Sequence, residues 1–88
     1  MRLFVKKSQC MITKVKPLKD MMLIATFSNG EQRLYDAMQL LKLRNAELLK
    51  REAIFNQAKV ENGMVTWADG KIKVSSKTIY DTGYDFKE

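Results

Sequence analysis

The sequence predicts an α+β domain: a mainly antiparallel sheet of five or six strands built from β-hairpins, with one or two short helices on one face. Three observations predict it. Tight-turn pairs recur at Asn29-Gly30, Asn62-Gly63 and Asp69-Gly70, and asparagine, aspartate and glycine tolerate the positive φ that two-residue hairpin loops require. Runs of alternating apolar and polar residues flank these turns. Between them, residues 37–53 carry leucines at helical spacing.

Taken in order, residues 12–18 read as a first strand, with Thr13, Val15 and Pro17 on one face and Lys14 and Lys16 on the other. Pro17 has no N–H to give a ladder, which places this strand at a sheet edge or a strand end. Lys19-Asp20 makes a turn. Residues 21–27 form a second strand, with Leu23, Ala25 and Phe27 on one face and Met22, Ile24 and Thr26 on the other; apolar residues on both faces mark it as central. Ser28-Asn29-Gly30-Glu31 then reverses the chain through a type I′ turn into a third strand, residues 32–35.

Asp36 has the character of a helix N-cap. Ala37, Met38, Leu40 and Leu41 follow at helical spacing, so residues 37–43 form a short amphipathic helix with Met38 and the leucines inward. A second helical stretch covers 46–53, with Leu48 and Leu49 inward and Lys50 and Arg51 outward. Beyond Phe55, residues 56–60 and 64–67 form the second hairpin around Asn62-Gly63. Asp69-Gly70 turns the chain into residues 71–74, where Ile72 and Val74 share a face. Ser75 caps a last helical turn around 76–81, whose Ile79 and Tyr80 seal the sheet. Trp67, the only tryptophan, fills the core with Leu40, Leu41 and Phe55 as its expected neighbours.

The length of 88 residues corresponds to one small domain, which buries only about 60–65% of the surface its unfolded chain exposes. The expected organisation is an N-terminal extension over residues 1–10, either disordered or paired as an extra strand, a single domain over 11–82, and a loose C-terminal tail over 83–88. Cys10 is the only cysteine, so no intramolecular disulfide can form, as befits a reducing cytosol. The chain has no histidine, which removes the usual partner of a cysteine nucleophile and most zinc arrangements. No cofactor or metal is expected. No apolar run approaches the ~20 residues a bilayer span needs, and the basic start is too short and too charged for a signal peptide. A cytoplasmic location without membrane contact follows as an expectation.

The formal charge of +6 is unevenly placed: the first twenty residues carry +5, of which +3 precedes Met11. Met11-Ile12-Thr13 is itself a plausible translation start, so the preceding ten residues are expected to be either an upstream extension or an addition from cloning. The remaining lysines nominate one surface, Lys14, Lys16, Lys19 and Arg33, as a partner or nucleic-acid site. Lysine on an edge strand also guards against unwanted pairing, and the cluster is sparse for phosphate binding. The absence of a helix-turn-helix makes duplex readout improbable.

The carboxylates Asp20, Asp36 and Asp69 have structural explanations as turn and cap residues, and no glycine-rich phosphate loop is present. The expectation is therefore no catalytic residues and no enzyme. Six methionines, three of them at Met11, Met21 and Met22 near the start and the last two on opposite faces, suit an adaptable partner surface. The first strand is a candidate for strand addition, including to a second copy of the chain.

The order of these features from about Met11 to Asp81 resembles a small bacterial family, domain of unknown function number 2442. The residues that carry the resemblance are Phe27-Ser28-Asn29-Gly30, Asp36, Leu40-Leu41, Phe55, Trp67 with Gly70, and Ile79-Tyr80. The family often has aspartate where this chain has Asn29, and usually a shorter N-terminus. The resemblance implies an α+β fold and a bacterial cytosolic origin; members often sit next to another small uncharacterised protein and have been proposed as parts of toxin–antitoxin-like pairs. It supplies no catalytic residues. The functional expectation is a small non-enzymatic protein-interaction module with a protein partner, a homodimer by strand addition being one form. The alternative is a nucleic-acid-binding or regulatory component of a toxin–antitoxin-type pair.

Overall fold

In the computed structural model, which describes residues 11–86, three strands come first: β1 (Ile12–Pro17), β2 (Met22–Phe27) and β3 (Gln32–Asp36). Two 3-10 segments, Ala37–Lys42 and Ala46–Lys50, and a single turn of helix α1 (Glu52–Phe55) lead to the meander of β4 (Lys59–Glu61), β5 (Met64–Trp67) and β6 (Ile72–Val74). Helix α2 (Ser76–Thr82) and the two-residue strand β7 (Tyr84–Asp85) complete the fold. The expectations for residues 1–10, Cys10 among them, and for residues 87 and 88 lie outside the described residues.

The class is α+β and all strand pairs are antiparallel, but there are two sheets, not one of five or six strands. One is four-stranded in the order β1-β2-β3-β7; the other is three-stranded in the order β4-β5-β6. The join between them explains the split. β1 packs beside β4 and β5, yet the Ile12 N–H donates to the Ser76 hydroxyl at 3.2 Å instead of to a strand carbonyl. Ser76 in turn donates to the carbonyl of Gly63 in the β4–β5 turn. A buried hydroxyl thus stands where a ladder would otherwise continue, satisfying a backbone donor and a backbone acceptor.

β1 is an edge strand and β2 a central one, as their compositions predict. A register shift between Ile12 and Lys14 alters the faces of β1: Ile12 pairs with Phe27 and is buried, while Thr13 is the extra residue and is exposed. Such a bulge reverses the alternation read from sequence for the first turn of the strand.

The turns differ in detail. Asn62 (φ 51°) and Gly63 (φ 77°) are both left-handed, as a type I′ loop requires. At the β2–β3 hairpin only Gly30 has positive φ, and the Gly30 N–H reaches the Phe27 carbonyl at 2.9 Å while the Phe27 N–H reaches Glu31 at 2.8 Å. That is a three-residue loop with glycine in the left-handed position, not the two-residue turn expected. The β5–β6 link is longer than two residues as well, with Ala68, Asp69 and Gly70 all at positive φ.

The helical stretches over 37–43 and 46–53 are mostly 3-10. Asp36 does cap the first, accepting from the Met38 N–H at 2.9 Å. Each stretch ends after about two turns at an extended residue, Leu43 and Arg51, and Asn45 at φ 68° separates them. Both close i→i+3 bonds, the tighter winding that short helical pieces and connectors commonly take. Met38, expected inward, is 50% exposed; the tighter 3-10 winding turns it out beside the cap. Ser75 caps α2 as expected, accepting from the Thr78 N–H at 3.1 Å.

One core unites the elements. It contains Ile12, Leu23, Phe27, Tyr35, Leu40, Leu49, Phe55, Val65, Trp67, Ile79 and Tyr80, among others. Trp67 is fully buried, stacks on Phe55 with ring centroids 5.7 Å apart and donates its indole N–H to the Phe55 carbonyl at 3.1 Å. Tyr80 meets Phe27 edge-on at 5.1 Å. The last strand corrects the expectation of a loose tail: Leu34 pairs with Tyr84 and Arg33 with Asp85. The return is possible because a glycine follows α2. A Cβ on Gly83 would lie 2.6 Å from the Ile79 carbonyl and 3.0 Å from the Arg33 Cβ.

Candidate binding face of the four-stranded sheet

Cross-strand partners share a face, so the register of the four-stranded sheet sorts its side chains. Leu23, Ala25 and Phe27 of β2 lie with Arg33 and Tyr35 of β3 on the inner face, over the core. On the outer face, one row runs across all four strands: Lys16, Ile24, Leu34 and Tyr84. Lys14, Thr26 and Gln32 form the row on one side of it, and Met22 with Asp36 the row on the other. At the usual strand spacing the four-residue row is about 14 Å long.

Met22, Ile24 and Leu34 are only half-buried and belong neither to the core cluster nor to the residues packed against it. Tyr84 is 63% exposed, the most exposed large apolar side chain among the described residues. Lys14 and Lys16 are exposed at the β1 edge, and Lys19 is exposed in the β1–β2 connection. None of these three lysines forms an ion pair among the described residues. The face therefore grades from uncompensated positive charge through an aliphatic centre to an aromatic edge.

Arg33 does not join those lysines. It is 9% exposed on the inner face, with its guanidinium 4.2 Å over the Tyr80 ring. Its charge is met by Asp85 at 3.0 Å and Glu31 at 3.4 Å, and Tyr80 donates its hydroxyl to Glu31. Single-letter alternation put Arg33 with the polar surface. Its pairing with Ala25 puts it under α2, where desolvation is offset by the aromatic face and two carboxylates.

Neither Met21 nor Met22 is the exposed methionine: both are half-buried, whereas Met11, the third of those near the start, and Met38 are exposed. Nor is the β1 edge open along its whole length, since Ile12 is bonded to Ser76 and β1 packs against β4 and β5. Tyr84 and Leu34 were missed as surface candidates. The signal for Leu34 lay in its position between Arg33 and Tyr35 on a strand whose other face is buried; for Tyr84 it lay in the glycine before it.

Besides a cleft of about 220 Å³ that holds Asp20 and Glu52 with Lys50, two further clefts bring carboxylates together. One, of about 380 Å³, is lined by Gly30, Glu31, Gln32, Arg33, Asp85 and Phe86, and both its carboxylates contact Arg33. The other, of about 260 Å³, includes Glu61 and Asp69 beside Lys59 and Trp67; Glu61 accepts from the Thr66 hydroxyl at 3.0 Å. Asp36 is absent from the lining of that cleft and is engaged as a cap. Among the described residues no group of three or more acidic or thiol side chains is arranged to hold a metal ion, and no helix is long and apolar enough to cross a membrane.

Residues 12–84 match the family described as protein of unknown function (DUF2442). The chain belongs to that family. The DUF2442 match opens at the first residue of β1 and closes on Tyr84, so the outer-face row and every strand residue but Asp85 lie within it. No curated protein and no solved structure matches the chain.

Proposed function

We propose that this DUF2442 chain is a small, non-enzymatic protein-interaction module of a bacterial cytosolic complex, and that the outer face of the four-stranded sheet is its contact surface for a different protein. The observation that carries this reading is the row Ile24, Leu34 and Tyr84, apolar across three adjacent strands and excluded from the core. A contiguous apolar patch rimmed by polar side chains is the usual character of a contact site. Strand addition to a second copy at β1 is less favoured, because part of that edge is already engaged by Ser76 and the β4–β5 hairpin.

The test places a photo-crosslinking p-benzoylphenylalanine at position 84, and separately at position 77 on the exposed side of α2, in cells of the source organism. One protein should cross-link from position 84 and not from 77, be identified by mass spectrometry, and rebind in purified form with a fixed stoichiometry. Cross-linking to a second copy alone, or equal cross-linking from both positions, counts against the reading.

A further inference from the structure

We infer that the partner segment that covers this face is acidic as well as apolar: a protein strand or loop whose aliphatic side chains lie on Met22, Ile24, Leu34 and Tyr84 and whose carboxylates reach Lys14 and Lys16. This deepens the proposed function and rests on it. The first ground is charge. Lys14 and Lys16 project from the same face as the apolar row, on adjacent register positions, and have no ion-pair partner among the described residues. The one carboxylate at the far end of the face, Asp36, is engaged with the Met38 N–H. An acidic ligand gains two charge-assisted contacts here, and a basic one meets like charge, which sets partner choice more strongly than raw affinity.

The second ground is the composition of the centre. Single-stranded nucleic acid is also anionic, but it is held on sheet faces by aromatic side chains on which successive bases stack. Here the positions between the lysines and Tyr84 are Ile24 and Leu34. Aliphatic side chains fit aliphatic or aromatic protein side chains and offer no stacking platform, and aromatics confined to the far edge, Tyr84 and then Phe86, whose N–H reaches the Gln32 carbonyl at 3.3 Å, leave bases over Ile24 and Leu34 unsupported. The face favours an acidic peptide over a nucleic acid.

The experiment follows backbone amides of the full chain by two-dimensional NMR while titrating three probes: a decapeptide alternating glutamate with leucine, its counterpart with lysine in place of glutamate, and oligothymidine. The acidic peptide should perturb the amides of Lys14, Lys16, Ile24, Leu34 and Tyr84. Its affinity should fall by about tenfold or more, 1.4 kcal/mol at least, both in Lys14→Glu/Lys16→Glu and in Ile24→Ser. The first variant changes only exposed side chains, so a loss there cannot be ascribed to misfolding. Binding of both peptides with equal affinity overturns the acidic preference and leaves the contact face standing. Tighter binding of oligothymidine at the same amides replaces the peptide with a nucleic acid and overturns the inference. No perturbation by either peptide, with successful cross-linking from position 84, removes this inference alone; failure of both experiments removes the proposed function as well.

Discussion

Three side chains show how local chemistry sets stability in this fold. Trp67 contributes through area, through its stack on Phe55 and through the indole bond to the Phe55 carbonyl. Trp67→Ala should cost about 3–5 kcal/mol, which exhausts most of the stability of a domain this size. Loss of the cooperative transition in urea would show it, and a variant that unfolds like the parent would place Trp67 outside the core. Gly30 makes the opposite case. Nothing lies within 4 Å of where its Cβ would be, yet its φ is +89°, so Gly30→Ala should cost about 1–2 kcal/mol from backbone conformation alone. A neutral result in urea would mean that the loop changes its turn type freely.

Tyr35 links the core to pH. Burial, and secondarily the Asp36 carboxylate, raise its phenol above the ordinary value of 10.0. The neutral phenol is therefore favoured by folding, and the unfolded chain loses this proton first as pH rises. The contribution is fully present below about pH 10 and disappears as pH climbs toward the raised value. Urea midpoints measured from neutral to strongly alkaline pH should fall more steeply for the parent than for Tyr35→Phe. Parallel curves would mean that Tyr35 does not govern the alkaline loss.

Among the elements, β7 is the one with the smallest size and the largest consequence. It consists of two residues, but it brings Tyr84 beside Leu34 and Asp85 to Arg33. Gly83 permits this by space rather than by dihedral angle: its φ is −79°, but the Ile79 carbonyl leaves no room for a Cβ. Gly83→Ala should cost about 1–3 kcal/mol and should shift the amides of Tyr84, Asp85 and Leu34 while leaving β4–β6 unchanged. Retention of the parent spectrum at Leu34 would show that α2 can move aside.

The elements also show what the sequence could reveal. Strands, caps and turn positions were legible because each rests on one residue and its immediate neighbours: Asp36 and Ser75 as caps, Pro17 at an edge, Gly63 in its hairpin. The bulge at Ile12, the 3-10 winding after Asp36 and the return of Tyr84 were not, because each depends on a distant partner. Ile12 is drawn in by Ser76, sixty-four residues later. The candidate lysines were half legible for the same reason: β1 alternation placed Lys14 and Lys16 correctly, while the side to which Arg33 points was decided by Ala25 across the sheet and Tyr80 above it.

At the scale of the whole molecule, two sheets share one core, and among the described residues the Ser76 hydroxyl bridges their edges. Ser76→Ala leaves the Ile12 N–H and the Gly63 carbonyl without that partner, and an unsatisfied buried backbone group costs about 1–3 kcal/mol. The variant should lower the urea midpoint without changing the slope of the transition. An unchanged midpoint would mean that water replaces the hydroxyl or that β1 and β4 close a direct bond.

The chain order of the four-stranded sheet bears on when the contact face comes into being. β1, β2 and β3 are consecutive and pair through short turns, so they can assemble early on a chain emerging from the ribosome. The fourth strand cannot join until everything between Asp36 and Tyr84 has been made and α2 has docked. The lysine edge and the aliphatic centre are thus displayed before the aromatic edge that completes them. On the proposed function, a partner that needs Tyr84 would be barred from nascent chains and would bind only molecules whose folding is finished.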